Sequence, residues 1–428
     1  MNQNKLKVLI VGGGGREHAI AWKLSQSPRI GTILCAPGNA GISEIADCVP
    51  IQADDIDSLV ALAKERAIDL AVIGPEGPLA AGIVDEFKRQ GIRTFGPNKK
   101  CAQLEASKAF TKKFLERHSI PTAGYREFTD LEAAISAIGL YGFPMVIKAD
   151  GLAAGKGVII AEDSASAEAA IRELMSDRIF GSAGDKLVIE EFLTGIEASV
   201  LCFVDGKTIV PMASAQDYKK IHDEDLGPNT GGMGTYSPSL IFNRDLELTI
   251  RNRILNPTLT GFQCDGLDFR GVLFIGIMIG PDGPKVIEFN VRFGDPETQS
   301  VLMRLETDLL DIMDAVIDER LAEQPIDWCE DRTICVVLAA GGYPGNYDKG
   351  DAITGLEDLP EDILVFHAGT KLAPETAGGR IVTAGGRVLG VCARGKTAGE
   401  ARERVYSHID KINFHGMQYR KDIGIIVE

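Results

Sequence analysis

Four short apolar runs in the first hundred residues, each separated from the next by a helical pattern, restrict this part of the chain to a parallel sheet covered by helices. Val8 to Gly12 reads as a buried strand, with a helix beginning near Arg16. Gly31 to Ala36, Leu70 to Gly74 and Arg93 to Gly96 supply three further strands. Ser58 to Arg66 and Leu79 to Gln90 read as helices. In such sheets ligands bind outside the carboxyl ends of the strands. The turns at Gly12–His18, Ala36–Gly41 and Gly74–Pro78 share that edge, and a pocket is expected there.

The 428 residues suit about three domains. The expected division is an α/β substrate domain over 1–103, a central unit over 104–330 and a β-rich domain over 331–428. Formal net charge is −16, from 45 basic and 61 acidic side chains, which argues against nucleic acid or an anionic membrane as the main partner. An anionic substrate would then need local basic groups. The eight cysteines show no C-x-x-C and several lie in apolar runs, as buried free thiols in a reducing compartment do. The six histidines form no zinc pattern. No apolar run approaches ~20 residues and no signal peptide is visible, so a cytoplasmic, unanchored protein is expected.

In the central unit, Lys285 to Asn290 reads as a strand after the apolar run Val272–Ile279 and a Gly-Pro-Asp-Gly-Pro turn. Residues two apart face the same side of a strand, so Glu288 and Asn290 point together. A carboxylate and an amide oxygen suit Mg²⁺, which takes one or two protein oxygens and leaves its other positions to water and phosphates. Arg292 continues on the same side and suits a carboxylate or phosphate. Asp295 and Glu297 follow; a structural Arg–Asp pair is the competing reading. Upstream, the strand Pro144–Lys148 aims Lys148 inward, and Asp150 to Gly157 is a glycine-rich turn between two strands. It is not a Walker A loop, being one residue short and lacking Ser/Thr. Gly155, Lys156 and Gly157 could still fold over a triphosphate, with Lys148 and Lys108 as point charges. Glu190 to Phe192 could offer backbone groups to adenine, and Glu197 could accept ribose hydroxyls. Asp217 and the segment Gly227–Gly234, with Asn229, Thr230 and Gly231, form a long glycine-dense connection of the kind that carries function.

At the N-terminal edge, Gly12-Gly13-Gly14-Gly15-Arg16-Glu17-His18 is a strand-to-helix turn, a natural anion site. Glu17 stands where a dinucleotide fingerprint needs glycine, and the second strand ends without a ribose-binding acid. Gly14, Gly15 and Arg16 are therefore candidates for a substrate anion such as a sugar phosphate, with a purely structural turn as the alternative. Gly38, Asn39, Ala40 and Glu76 line the neighbouring turns; Glu76 could take a substrate amine or hydroxyl.

Taken in order, these segments resemble the glycinamide ribonucleotide synthetases of the ATP-grasp superfamily over nearly the whole chain. The resemblance rests on Gly13–Ala19, Pro37–Gly41, Gly74–Pro78, Lys148–Gly157, Gln216-Asp217, Gly227–Gly234, Glu288–Gln299 and Ala384–Leu389. Two departures stand out: Tyr218-Lys219-Lys220 replaces the more usual His-Lys-Arg, and Leu226 a usual threonine. The resemblance implies an ATP-grasp core with a mobile lid at about 122–192. It also implies ligation of glycine to 5-phospho-β-D-ribosylamine at the expense of ATP, through glycyl phosphate. ATP and Mg²⁺, or Mn²⁺ in its place, would be the cofactors, Glu288 and Asn290 the metal ligands, and Arg292, Asp295 and Lys148 the catalytic groups. A monomer is expected. Other ATP-grasp ligases, and a non-catalytic nucleotide- or NAD-binding module, are the rival readings.

Overall fold

The computed structural model describes residues 5–152, 157–176, 184–374 and 379–425. The N-terminal sheet consists of β1 (Leu6–Gly12), β2 (Ile30–Pro37), β3 (Asp47–Cys48), β4 (Leu70–Ile73) and β5 (Arg93–Phe95). All pairs are parallel, in the order β3-β2-β1-β4-β5. Its helices are α1 (Gly15–Ser25), α2 (Ile56–Glu65), α3 (Glu76–Ala81) and α4 (Ile83–Arg89). The single helix expected over Leu79–Gln90 is two helices, because Gly82 takes φ +103°, a left-handed conformation that interrupts the turn. The short edge strand β3 carries too little apolar sequence to stand out.

Alternate residues of β1 feed opposite cores. Val8 and Ile10 pack in one, Leu9 and Val11 in the other, all fully buried. Each such side chain contributes about 1.5–3 kcal/mol of transfer free energy.

Next come α5 (Lys99–Ala106) and α6 (Lys108–Arg117). Ser107 divides them, its backbone extended and its hydroxyl accepting from Phe110 N as the cap of α6. A small antiparallel sheet follows, ordered β6-β9-β7-β8, from β6 (Tyr125–Phe128), β7 (Met145–Ala149), β8 (Val158–Ala161) and β9 (Leu187–Glu191). The helices α7 (Leu131–Ser136) and α8 (Ser164–Met175) share its core.

The central sheet is β11-β10-β16-β17, formed by β10 (Ile196–Asp205), β11 (Ile209–Pro211), β16 (Arg270–Gly280) and β17 (Gly283–Asn290). On β10, Val200, Cys202 and Val204 join the core of Leu9, while Leu201 and Phe203 join that of Val8. The N-terminal and central sheets thus share both cores, which fixes the substrate-side turns relative to β17.

The connection expected to be a long loop is partly ordered into β12 (Gln216–Asp217), β13 (Lys220–His222), β14 (Leu226–Asn229) and β15 (Gly234–Ser237). β12 and β15 cross to the C-terminal sheet, β12-β15-β18-β22-β19. Its other strands are β18 (Arg332–Ala339), β19 (Ile363–His367) and β22 (Arg387–Gly395), packed against α13 (Ala398–Ile409). The remaining helices include α11 (Glu297–Arg304) and α12 (Leu309–Ile317).

Candidate active site

The end of β17 is irregular. Its register with β16 shifts between Gly276 and Ile277, and the in–out alternation of burial breaks at Ile287 and Glu288, which are both half-buried. Glu288 and Asn290 are brought together, with Asn290 Nδ2 donating to Glu288 Oε1 at 3.0 Å. Burial opposes charge on Glu288. Lys108, the Asn290 amide, Lys219 and Lys148 outweigh it and hold the carboxyl below its usual range. An ionised carboxylate beside an amide is a hard-oxygen donor pair. Turning the amide over would place Asn290 Oδ1 beside Glu288. Among the described residues no cluster of three or more His, Cys, Asp or Glu side chains could hold a metal unaided. Such a two-oxygen site fits an ion whose other ligands are phosphates and water.

Across from it lies a buried charge triad. Lys112 and Lys148 both reach Glu190 Oε2, at 2.9 and 3.0 Å, and all three side chains are almost wholly buried. Burial lowers Lys112 to about 8, against the pull of Glu190. Glu190 Oε1 is buried without a hydrogen-bond donor. Lys148 also donates to Ile287 O at 3.4 Å, tying β7 to the irregular part of β17. Asp150 accepts from Ser107 Oγ and Ala109 N, which seats the start of the glycine-rich turn on the end of α6 that bears Lys108. A hollow lined by Lys108, Lys112, Lys148, Glu190 and Glu288 results. A second cavity lies between Glu191–Thr194 and the β16–β17 hairpin at Met278 to Lys285.

The turns at the carboxyl edge pack on one another. A β-carbon on Gly13 would lie 2.4 Å from the Gly38 carbonyl oxygen, so this approach admits only glycine. The Gly14 N–H, expected to face a substrate anion, instead donates to Glu17 Oε2 at 2.6 Å. Arg16 is likewise committed, to Glu17 Oε1 and the Phe293 carbonyl. The Asp295 carboxylate lies 3.6 Å from where a Gly15 β-carbon would stand. With Glu17 filling the turn from within and Asp295 beside it, the half-buried lip favours hydroxyl or amine donors over a phosphate. Asn39 is saturated: Nδ2 donates to Gly13 O and His367 O, and Oδ1 accepts from Ile42 N. It staples the turn to β19 rather than reaching outward. Ala40 is buried and also faces away from solvent.

Arg292 does not pair with Asp295. Its Nε donates to Glu76 Oε2 at 3.3 Å, and its Nη2 reaches Glu105 Oε1 at 2.9 Å and Asn290 Oδ1 at 3.2 Å. Burial works against charge on both Arg292 and Glu76, yet Glu105 and then Glu76 keep Arg292 raised, and Arg292 keeps Glu76 lowered. Asp295 faces Arg387 of β22 instead, at 3.4 Å. Arg387 also donates to the carbonyls of Gly231 and Asp295, at 2.6 and 2.7 Å. A β-carbon on Gly231 would strike that guanidinium. Thr230 bonds backbone within its own loop, through Lys219 O and Gly232 N, and Asn229 is exposed.

On the far side of Glu288 lies an acidic group built from three elements. Lys219 Nζ pairs with Asp217 Oδ2 at 2.6 Å, and Ser199 Oγ lies 3.3 Å from Glu297 Oε1 and 3.5 Å from Asp217 Oδ1. Burial alone would lower Lys219, but Asp217, Glu297 and Glu197 raise it. Glu197 and Glu297 are both raised, first by burial and then by neighbouring acids, with Lys219 opposing.

The structure thus gathers Lys108, Lys148, Glu190, Glu197, Glu288, Asn290, Arg292, Asp295 and Glu297 around one cleft. Phe192 lines the cavity beside the hairpin and Gly157 follows the turn; Gly155 and Lys156 lie outside the described residues. Sequence reading missed Glu17, Glu105, Lys112, Lys219 and Arg387. Glu105, Lys112, Lys219 and Arg387 reach the site from elements distant in sequence from β17, and Glu17 lies inside the turn itself, where local pattern shows no partner.

Comparison with known proteins accords with this geometry. Residues 6–105, 106–298 and 333–425 match, respectively, the N, ATP-grasp (A) and C domain models of phosphoribosylglycinamide synthetase. The phosphoribosylamine–glycine ligase of Vibrio parahaemolyticus is 49% identical over 423 residues, covering 98% of both chains. That of Caldanaerobacter subterraneus is 47% identical, over 98% of this chain and 99% of its own. The crystal structure of the Thermotoga maritima phosphoribosylamine–glycine ligase superposes with a TM-score of 0.84 at 33% identity, over 97% of this chain and 100% of the other. The biotin carboxylase domain of a Hydrogenobacter thermophilus 2-oxoglutarate carboxylase shares the fold, at TM-score 0.75 and 17% identity over 98% of this chain and 92% of its own.

Proposed function

The chain belongs to the phosphoribosylglycinamide synthetase family, the ATP-dependent carbon–nitrogen ligases of purine biosynthesis, and we propose that it joins glycine to 5-phospho-β-D-ribosylamine through glycyl phosphate. A free carboxylate cannot acylate an amine at neutral pH, because oxide is too poor a leaving group. Phosphorylation by ATP supplies a good one. The protein then needs no covalent nucleophile, only positioning and charge.

The observation that carries this reading is the cleft itself. A hard-oxygen pair, Glu288 and Asn290, faces two buried lysines that share one carboxylate. Glu288 and Asn290 are our candidates for Mg²⁺, with Mn²⁺ as a substitute; the ion would neutralise phosphate charge when bound. Lys148 and Lys108 add positive charge on the opposite wall. The cavity between the Glu191–Thr194 segment and the hairpin takes the base, and the unpartnered Glu190 Oε1 is suited to an N–H donor such as the exocyclic amine of adenine. Glu197 faces the ribose. Gly14, Gly15, Asp295 and the Asn229–Gly231 loop line the side of the acceptor amine, with Asp217 and Glu297 beneath. Arg292, locked by Glu76, Glu105 and Asn290, fixes the orientation of the metal pair while keeping a cation close to the reacting carboxylate.

An acyl phosphate hydrolyses if water enters. The sheet β6-β9-β7-β8, joined to β17 through Lys148, is our candidate for the closing element. The domain division at about 103 and 330, a monomeric state and a cytoplasmic setting for the free thiols belong to the same reading. The test is ADP release with glycine and the ribosylamine each omitted in turn. Dependence on both is expected; release supported by a different acid or amine, and not by this pair, would overturn the assignment.

A further inference from the structure

The second half of such a reaction leaves a proton to place. When the ribosylamine nitrogen attacks glycyl phosphate, its lone pair forms the C–N bond. The C–O bond to phosphorus breaks, and phosphate departs with that electron pair. The nitrogen, positively charged in the tetrahedral intermediate, must then lose a proton to become an amide. We propose that Glu297 accepts that proton, a role that rests on the ligase reading above.

The assignment follows from what holds each buried carboxylate of the cleft. Glu17 is bound by Arg16 and Gly14 N. Glu76 is bound by Arg292, and Glu105, though burial raises it, has both oxygens engaged, one by Arg292 and the other by the Val291 N–H. Glu190 is clamped by Lys112 and Lys148, Asp217 by Lys219, and Asp295 by Arg387 and Gln299. A carboxylate held by a cation is a weak proton acceptor. Glu288 belongs to the metal pair. Of the described acids around the cleft, Glu191, Glu197 and Glu297 lack a cation at ion-pair distance; Glu191 accepts from the Gly124 N–H and lines the cavity assigned to the base. Glu197 sits on β10 opposite Met278, which lines the cavity assigned to the base. Glu297 opens α11 directly after Asp295-Pro296, and Asp295 borders the Gly14–Gly15 lip where the amine is expected. Glu297 is 2% exposed, and its named polar neighbour is the Ser199 hydroxyl at 3.3 Å, which can steady it without discharging its basicity.

Its electrostatic surroundings agree. Burial raises it most, Asp217 raises it further, and Lys219 and Arg292 oppose without forming an ion pair. Arg387 adds its charge from the C-terminal sheet. An acceptor placed above the ordinary carboxyl range is matched to proton uptake near neutrality.

The experiment compares wild type with Glu297→Gln and Glu297→Asp. Wild type should show glycine-dependent scrambling of label in [β,γ-bridge-¹⁸O]ATP without amine, which reads glycyl phosphate formation alone. Absence of scrambling in wild type would remove the ligase reading itself. With scrambling present, Glu297→Gln should keep it while product formation falls by roughly 10²–10⁴-fold, the usual span for a general base. Glu297→Asp should recover part of the loss, and the acidic limb of the kcat profile seen in wild type should be absent in Glu297→Gln. Normal product formation by Glu297→Gln, or loss of scrambling and ligation together in both variants, would overturn the proposal.

Discussion

Replacing Glu190 with glutamine removes one charge from a buried group of three and nearly nothing from its volume. Lys112 and Lys148 both contact Glu190 Oε2, so their ammonium groups lie within about 6 Å of each other. At an effective dielectric of ~20 their repulsion is roughly 3 kcal/mol, and breaking a buried pair by removing one partner typically costs ~3–5 kcal/mol. The penalty has a ceiling, because Lys112 is already lowered to about 8 and can shed its proton. Its folded value would fall further in the variant, leaving the folded state with fewer protons than the unfolded. Stability then rises with pH. The Glu190→Gln protein should be about 3 kcal/mol less stable at pH 7, with the deficit narrowing toward pH 8. Urea unfolding measures the size, and hydrogen exchange at β7 and β9 locates it. Unfolding at the wild-type urea concentration at pH 7, or a deficit that ignores pH, would refute the account of the triad.

Other residues give independent tests. His18 and His367 are buried neutral at the junction of α1 and β19, lowered to about 3 and about 4, chiefly by burial. The folded state therefore binds fewer protons, and stability should fall as pH drops below about 6.5, by up to roughly 4 kcal/mol at pH 5 for the pair; His18→Gln should flatten that slope in thermal melts. Gly13→Ala would force apart the turns at Gly13 and Gly38, destabilising by ~1–3 kcal/mol and lowering kcat/KM more than an alanine at the open Gly77. Arg387→Lys keeps the charge beside Asp295 but loses the fork that holds Gly231. A loss of roughly 10–100-fold in kcat/KM is expected for charge-assisted bonds of this kind, read by steady-state kinetics. Mg²⁺ with ATP should slow hydrogen exchange in β7 and β8 if that sheet closes on the nucleotide; unchanged exchange would exclude it as the lid.

The sequence showed the parallel sheet plainly, because Val8–Val11, Ile33–Ala36 and Leu70–Ile73 are continuous apolar runs buried on both faces. It also placed Glu288, Asn290 and Arg292 on one side, since period-two alternation survives beyond the irregularity at Ile287. Partners supplied through tertiary packing stayed hidden. Glu105 reaches Val291 N and Arg292 from a helix nearly two hundred residues earlier, and Arg387 arrives from the C-terminal sheet. Local pattern carries no such pairing. The breaks at Gly82 and Ser107 were readable in principle, since glycine in a left-handed turn and a serine cap are local signals. The surrounding helical periodicity masked them. The reading of Gly14 as an anion donor failed for a related reason: a carboxylate three residues on, Glu17, already fills the turn.

The most direct test is of Glu288. Mn²⁺ binding in the presence of ATP, followed by electron paramagnetic resonance, should show a tight site in wild type that is lost in Glu288→Gln and weakened in Asn290→Ala, with melting temperatures unchanged and turnover gone. A Glu288→Gln protein that binds Mn²⁺–ATP and turns over like wild type would contradict the cleft described above.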